Sequence, residues 1–554
     1  MERFTHEQEV VPQDAQQEEN PPVVIQGKRP DEYIESLKKA GLEKHAAVFA
    51  VIVAVARIIQ ERGGRAMLVG GAVRDELTDK HPNDFDIEVY NVDEGELKKI
   101  LEGIGEVEEC GQVYGIFKVH IEGISVDFSL PRKERSTGDT HKDIEVESAP
   151  DLSFRQAAQR RDFTINAFLK DVLTGEIFDY FGGIDDLRQR RLRMVSERTF
   201  AEDPLRPMRA PQFVGRFGFF VDHATQEEIK KVTQKLATLP VSRLRDEWKK
   251  LLTRSKTPSL GLSAAMGLGI LETLYGDEVL PLTHTEQDPH KHPEGNVWIH
   301  TMQAVDSARR VIDALNKNHR QGRQDGMSIE SEEELVILLA TFCHDFGKPK
   351  ATKKEEGKIT SYEHEQMGLE PAAAFLEKIG TKKKVIDKVL KIVRCHRRAL
   401  DMMKAFQDGK VSSRMIRRLV QDVFPASVKE LLVVAVADSM GRVGLPNVMK
   451  AQLLDVKELR AIQALSDLAQ QEVGEHNRPK QAIAGQELIA LGIEPRARSD
   501  AEFGQLLSLV NALVDHHGIE KAWVISELEK QKGKPLRVVA EYLQRRFKKE
   551  KPKK

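Results

Sequence analysis

Residues Leu68–Val89, LVGGAVRDELTDKHPNDFDIEV, decide how the rest of the chain is read. Met67, Leu68 and Val69 make a short apolar strand. Gly70 and Gly71 turn the backbone sharply and leave no side chain between it and a ligand. Ala72–Leu77 then begins a helix with Arg74 in its first turn. The leading N–H groups of such a helix have no intrahelical acceptor and suit an anion. Beyond the loop, Asp84 and Asp86 stand two apart on a strand. Both carboxylates therefore share one face, and Phe85 and Ile87 take the other.

A phosphate-holding turn followed by paired carboxylates is the donor set of a Mg²⁺-assisted phosphoryl displacement. A Gly-Gly turn alone, or a solvated acidic strand end alone, is commonplace. Their order and spacing here favour a site. Gly70, Gly71, Val73, Arg74, Asp75, Leu77, Asp84 and Asp86 also resemble a family motif, roughly GGxVRDxLLGxxxxDxD. It is the first motif of the bacterial class II tRNA nucleotidyltransferases (CCA-adding enzymes) and poly(A) polymerases, within the superfamily of DNA polymerase beta. The chain departs from it at Thr78 and Asp79, where the family has Leu-Gly.

Four further stretches follow in the family's order. Arg160–Ala167, RRDFTINA, resembles the second motif. The resemblance assigns Arg161, Asp162 and Asn166 to the sugar and triphosphate of an incoming nucleotide, which suits an arginine fork and short polar acceptors. Gly182 and Gly183 in DYFGGIDDL resemble a hinge. Phe200–Phe219 reads as a helix in which Glu202, Asp203, Arg206 and Arg209 match an EDxxRxxR core. At i and i+3, Asp203 and Arg206 are expected on one face. By resemblance that pair reads the edge of CTP or ATP; the plainer reading is an intrahelical salt bridge. Pro211 predicts a kink or early break. VSRLRDEWKKLL (Val241–Leu252) resembles a fifth motif.

Between the first and second motifs, Tyr114–Ile121 and Ile124–Leu130 alternate as hairpin strands about Glu122-Gly123. Asp127 faces away from Ile124, Val126 and Phe128. It is either a third metal carboxylate, which the resemblance favours, or an exposed edge residue. Pro131–Pro150 has no period and is expected as a mobile loop.

A second constellation lies further on. His300 sits on an amphipathic helix, Asn296–Leu315. His344-Asp345 ends an apolar helix, followed by His364, His396, and Asp438 at the end of another apolar helix. This order resembles the HD phosphohydrolase superfamily, and the HD-containing branch of the nucleotidyltransferases carries such a domain. His300, His344, Asp345 and Asp438 are the expected core ligands of a divalent transition metal such as Mn²⁺, Co²⁺ or Ni²⁺. His364 and His396 are candidates for a second metal or a phosphate. HPEG at His292 reads as a helix-entry turn, and Asn316–Glu334 as a loop.

The implied fold class is α+β: a small mixed-sheet, polymerase-beta-like nucleotidyltransferase head followed by an all-α neck, an HD domain and a helical tail. The expected divisions are a disordered tail at 1–29, the head at 30–184, the base-selecting neck at 185–283, the HD domain at 284–450 and an RNA-facing tail at 451–554. With 85 Lys+Arg against 87 Asp+Glu, net charge does not single out a nucleic-acid binder, so RNA must meet local patches. Three widely spaced cysteines fit a reducing cytoplasm. The apolar run Ala46–Ile59 is shorter than the roughly 20 residues of a membrane span. The N-terminus is too polar and acidic for a secretory signal. The implied activity is addition of CMP and AMP from CTP and ATP to a tRNA or other RNA 3′ end, with Mg²⁺ in the head and no membrane or obligatory protein partner. The alternatives are a poly(A) polymerase of the same family, an HD phosphohydrolase whose head only binds nucleotide, and an RNA-binding module with both sites degenerate.

Overall fold

The computed structural model describes residues 21–82, 84–109, 116–136, 144–442, 456–472, 483, 485–493, 501–515, 521–532 and 534–550. The chain divides into two compact units, Met1–Arg243 with Ser263–Thr273, and Leu244–Leu262 with Leu274–Lys554.

The strands of the first unit are β1 (Val23–Gln26), β2 (Arg65–Val69), β3 (Phe85–Tyr90), β4 (Val107–Glu109), β5 (Ile116–Ile121), β6 (Ile124–Ser129), β7 (Arg132–Ser136), β8 (Ile144–Ser148), β9 (Leu169–Asp171) and β10 (Glu176–Asp179). Eight of them form one mixed sheet, in the order β1-β10-β9-β2-β3-β6-β5-β4. The helices are α1 (Pro30–Lys39), α2 (Glu43–Glu61), α3 (Gly71–Leu77), α4 (Glu94–Glu102), α5 (Phe154–Gln159), α6 (Gly183–Arg188), α7 (Glu197–Glu202), α8 (Arg206–Phe217) and α9 (His223–Val232).

Side-chain alternation assigns the two sheet faces. Phe85, Ile87, Val89, Val126 and Phe128 join Phe49, Ile52, Ala56 and Ile59 of α2 in one core. The apolar spacing of α2 at three and four residues presents a single stripe to that sheet face. Met67, Val69, Tyr90 and Ala157 pack on the opposite face. Asp86 and Asp127 therefore lie on the face away from α2. The β5–β6 hairpin turns through Glu122 (φ 53°) and Gly123 (φ 79°), the left-handed pair that a two-residue hairpin requires.

Two expectations are corrected here. The tail expected to be disordered through residue 29 instead contributes β1, which pairs Val23 with Asp179 and Gln26 with Glu176 at the sheet edge. Pro131–Pro150, expected as a mobile loop, instead contains β7 and β8 paired antiparallel from Arg132–Ser148 to Ser136–Ile144. Residues 137–143 at its tip lie outside the described residues.

The helices α10 (Val241–Thr253), α11 (Pro258–Gly267) and α12 (Ile270–His284) span the division. The second unit continues with α13 (Val297–Arg320), α14 (Ser331–Cys343), α15 (Lys348–Ala351), β-hairpin Thr352–Glu355/Lys358–Ser361, α16 (His364–Met367), α17 (Leu369–Lys378), α18 (Lys383–Gln407), α19 (Ser413–Val423) and α20 (Val428–Met440). Asn296 caps α13 through the Ile299 N–H. That helix runs to Arg320, further than expected, so the loop before α14 begins later. Val336–Cys343 of α14 and Leu431–Asp438 of α20 are buried on every side. A helix apolar all round belongs at the centre of a bundle. In the tail, Leu488, Leu506, Val510, Val524, Leu528 and Leu543 make a separate core.

Candidate functional site

In the head, β3 and β6 run parallel and in register, so Asp86 stands opposite Asp127 on the same face. Asp84 is exposed at the start of β3. Gly70 has φ 67°, and a Cβ there would lie 3.7 Å from Asp86 Oδ2. The turn thus brings bare backbone to the carboxylates. Solvent reaches Asp86, yet its pKa is raised to about 6. Desolvation by the surrounding protein is the leading cause, followed by Asp84; Asp127 adds to it, and Arg161 and Lys118 oppose it. Asp127 Oδ1 is buried with no hydrogen-bond donor among the described residues; Lys118 Nζ lies 3.6 Å away. Crowded carboxylates with an orphaned oxygen fit a hard cation.

The other expected residues form a chain behind this pair. Arg74 is buried and donates to Asp75 Oδ1 at 2.8 and 3.0 Å and to Asn166 Oδ1 at 2.6 Å. Its guanidinium also lies over the Phe217 ring at 4.7 Å. Asn166 Nδ2 donates to Asp162 Oδ1 at 3.1 Å, and Arg209 pairs with Asp162 Oδ2 at 2.9 Å. Arg74, Asn166, Asp162 and Arg209 are thereby joined. Arg161 donates to Glu88 Oε1 at 3.0 Å, and the Tyr90 hydroxyl donates to Glu88 Oε2 at 2.5 Å.

The helix expected over Phe200–Phe219 is two helices. α7 ends at Glu202, Asp203 is extended (φ −108°, ψ 102°), and α8 begins at Arg206. Asp203 and Arg206 therefore do not share a helix face; the Arg206 N–H donates to the Asp203 carbonyl at 3.1 Å. Asp203 Oδ1 accepts from the Leu205 N–H at 3.1 Å and from Arg243 at 3.1 Å. Arg206 is buried and donates to the carbonyls of Thr199 and Arg160. The break falls at Asp203–Leu205, around Pro204, and Pro207 sits in the tolerant first turn of α8. The helix continues through Pro211, where a break was expected.

In the second unit six expected ligands converge. His300 Nε2 lies 3.1 Å from Asp438 Oδ1 and 3.3 Å from His344 Nε2. Asp345 faces both ways: Oδ2 is 3.2 Å from His344 Nε2, and Oδ1 is 3.4 Å from His364 Nε2. Two donor groups result, His300/His344/Asp438 and Asp345/His364/His396, all buried. The Nδ1 atoms of His344, His364 and His396 each lie 2.7 Å from a backbone carbonyl, of Thr341, Ser361 and Val393. A carbonyl only accepts, so each Nδ1 carries the hydrogen and each Nε2 offers a lone pair. His300 Nδ1 is held by Glu294 at 2.8 Å. Imidazoles fixed through their far nitrogens are the arrangement of metal-bound histidines. Burial opposes charge on His300, but bonds to Asp438 and Glu294 outweigh it and raise its pKa. Burial, then His344, push His396 down to about 4.

Family models place these features. The poly(A) polymerase head domain matches residues 66–193, the probable RNA and SrmB-binding site of polymerase A matches 218–278, and the HD domain matches 297–441. The multifunctional CCA protein of Pasteurella multocida (strain Pm70) is 30% identical over 389 residues, covering 69% of this chain and 85% of that protein. The chain belongs to the CCA-adding nucleotidyltransferase family. The multifunctional CCA protein of Xylella fastidiosa (strain M23) is 29% identical over 392 residues, 69% of this chain and 85% of its own. The Bacillus stearothermophilus CCA-adding enzyme in complex with CTP shares the fold at TM-score 0.57 and 19% identity, over 91% of this chain and 98% of that one.

Within this family member, sequence reasoning missed three residues around the histidine cluster. Glu294, placed in a helix-entry turn, is buried and holds both His300 and His292, the latter at 2.9 Å. Lys348 lies 2.6 Å from Asp345 Oδ2 and donates to Gln287 at 2.6 Å. Arg442 donates to Asp438 Oδ2 at 2.6 Å. The last two were accessible as spacing, with a cation three residues after Asp345 and four after Asp438. Glu294 gave no such signal, because its neighbours meet through the fold.

Proposed function

We propose that this nucleotidyltransferase adds CMP and AMP, from CTP and ATP, to the 3′ end of a tRNA. The observation that carries the reading is Asp86 opposite Asp127, in register on parallel strands, beside the bare Gly70 turn. Asp84, Asp86 and Asp127 are the residues that would hold Mg²⁺, which when bound neutralises phosphate charge and acidifies an RNA hydroxyl. The hydroxyl attacks the α-phosphate and pyrophosphate leaves. Gly70 and Gly71 admit the triphosphate to the carboxylates. Arg161, fixed by Glu88, faces it, and Arg74 braces the turn against Asn166. Asp162 and Asn166 receive the ribose. Base selection falls to the Asp203–Arg209 segment: Asp203 and Arg209 are both about a third exposed, and Arg206 fixes the turn between them.

The histidine cluster supports a second, independent activity: phosphohydrolysis by an HD domain with Mn²⁺, Co²⁺ or Ni²⁺ held by His300, His344, Asp345 and Asp438, and by His364 and His396 at a second position. Asp345, facing both groups, bridges them. Lys348 and Arg442 bring positive charge to a phosphate there. Among the described residues no helix is long and apolar enough to cross a membrane, and the free, buried Cys343 and Cys395 suit work in the cytoplasm. The test is to incubate purified protein with tRNA lacking its 3′ end and each nucleotide in turn, then sequence the products. Ordered addition of C, C and A supports the reading. Runs of A replace it with poly(A) polymerase, and no addition removes it.

A further inference from the structure

A dense basic stretch lies on α18 and α19. Between Lys391 and Arg418 the chain carries nine lysines and arginines against two aspartates, within a protein of formal net charge −2. The helices spend their apolar residues inside. Val389, Ile392, Val393, Ala399 and Met403 of α18, and Ile416, Leu419, Val420 and Val423 of α19, are buried. The outward positions are basic: Arg394, Arg397, Arg398, Lys404, Arg414 and Arg418 are exposed. On α18, residues 391, 394 and 398 follow helical spacing and share a face, with Arg397 and Lys404 on the adjoining ridge. Arg398 and Arg418 lie 2.5 and 3.9 Å from the same carboxylate, Asp422, so the two helices present one continuous surface.

Part of this charge is neutralised within the protein, through Asp422 and through Arg397 on Glu365 at 3.5 Å. Lys391, Arg394, Lys404 and Arg414 have no carboxylate at ion-pair distance among the described residues. Three of these cations along roughly 20 Å of α18, with Arg414 on α19, repel one another and call for a polyanion. The surface also starts beside the histidine cluster, since Glu365 touches both Arg397 and His364 Nδ1, the latter at 3.6 Å.

We propose that the outer face of α18 and α19 binds the phosphodiester backbone of an RNA strand. An anionic lipid surface fits less well. A membrane-bound helix sets large apolar side chains beside its cations, whereas most of those on α18 and α19 are buried in the bundle, with Met415 exposed beside Arg414 and Leu400 and Phe406 half-buried. The linear spacing of cations matches a backbone better than a single phosphate. The proposal concerns binding and stands whether or not the head transfers nucleotides.

The experiment measures binding of the full chain to a fluorescein-labelled, single-stranded 20-nucleotide RNA by anisotropy across a salt series. Wild type is compared with K391E/R394E/K404E/R414E. The expected result is a loss of roughly tenfold or more in affinity at low salt, with the slope of log K against log salt shallower by about two to three. Nucleotide addition at saturating RNA should keep its kcat. Where circular dichroism shows the charge-reversed protein misfolded, the neutral R394Q/R414Q variant decides, with a slope shallower by about one. Unchanged affinity and slope in a folded variant overturn the proposal. So does a variant that loses binding to phosphatidylglycerol vesicles while its RNA binding is unaltered.

Discussion

Glu294→Gln tests the histidine cluster as a metal centre without touching a ligand. Glu294 is buried and accepts from His300 and His292 at 2.8 and 2.9 Å. Glutamine keeps the volume and one acceptor oxygen but removes the charge. A hydrogen bond to a charged group contributes about 1.5–3 kcal/mol and a neutral one about 0.5–1.5. The exchange should therefore weaken the hold on His300 by about 1–1.5 kcal/mol, or roughly 5- to 12-fold in metal affinity. Glu294→Ala leaves the imidazole without an acceptor and should approach the roughly 100-fold limit seen for such supporting groups. The assay is calorimetric titration of Mn²⁺ into chelator-stripped full chain in which Asp84 and Asp86 are alanine, so that the head does not compete. pH supplies a second readout. Bonds from His292 and His300 overcome the burial penalty and lower the Glu294 pKa from 4.5 to about 2. A depressed carboxylate stabilises the fold fully above its unfolded pKa and loses that contribution as pH falls through the folded value. The stability gap between wild type and Glu294→Gln should then be complete above about pH 4.5 and shrink towards pH 2. Unchanged Mn²⁺ affinity in a folded Glu294→Gln protein would refute the metal-centre reasoning.

Three further outcomes are expected. Asp86→Asn should abolish nucleotide addition; because desolvation and Asp84 raise the Asp86 pKa from 3.8 to about 6, it should also raise Tm in EDTA, fully above about pH 6, with the advantage shrinking as pH falls from 6 and vanishing only towards pH 3.8, and a Tm equal to wild type at pH 7.5 would show Asp86 to be unstrained. Asp203→Ala should relax selection among CTP, ATP, UTP and GTP, whereas Arg206→Ala, by stripping donors from two carbonyls, should cost about 1–3 kcal/mol of stability for each acceptor left buried; the reverse pattern, read from misincorporation and urea melts, would return base reading to Arg206. His344→Ala should remove metal-dependent phosphodiester hydrolysis and spare nucleotide addition, and Asp84→Ala should do the opposite; loss of both activities in one folded variant would mean that the two sites are coupled.

The parts of the fold that could be read in the sequence are those in which neighbours in the chain are also neighbours in space. Alternation put Asp84 and Asp86 on one face of β3 and turned Asp127 away from the apolar face of β6, because a strand has a period of two; that Asp127 stands opposite Asp86 became visible only with the pairing of the two strands. The apolar helices α14 and α20 were marked by composition, and His344 and Asp438 by their ends. The edge strand β1 left no such mark. Its four residues are mostly exposed, and its partner Asp179 lies far along the chain from Val23. Strand β7 was equally silent, since Arg132–Ser136 is polar at every position, and the short alternation Ile144, Val146 of β8 had no visible partner.

The segment from Glu202 to Arg209 shows why a motif can be found while its geometry is missed. Spacing of three residues places Asp203 and Arg206 on one face only if both are helical. Proline at 204 cannot donate an N–H and disfavours helical backbone at the residue before it, so Asp203 is driven into extended conformation. Once extended, its carboxylate caps the Leu205 N–H and becomes available to Arg243. Arg206, opening the next helix, then turns inward to the carbonyls of Thr199 and Arg160. Proline on either side of the arginine therefore sets the conformation of the pair, while α8 runs through Pro211 without a break. Replacing Pro204 by alanine frees the missing donor and removes the restriction on Asp203. Fusion of α7 to α8 should follow, with a gain in helical circular dichroism and loss of the Asp203–Arg243 pair. Base selectivity should fall while the metal-site variants keep their phenotypes. An unchanged spectrum and unchanged selectivity would show that the break is held by the Arg206 contacts rather than by proline.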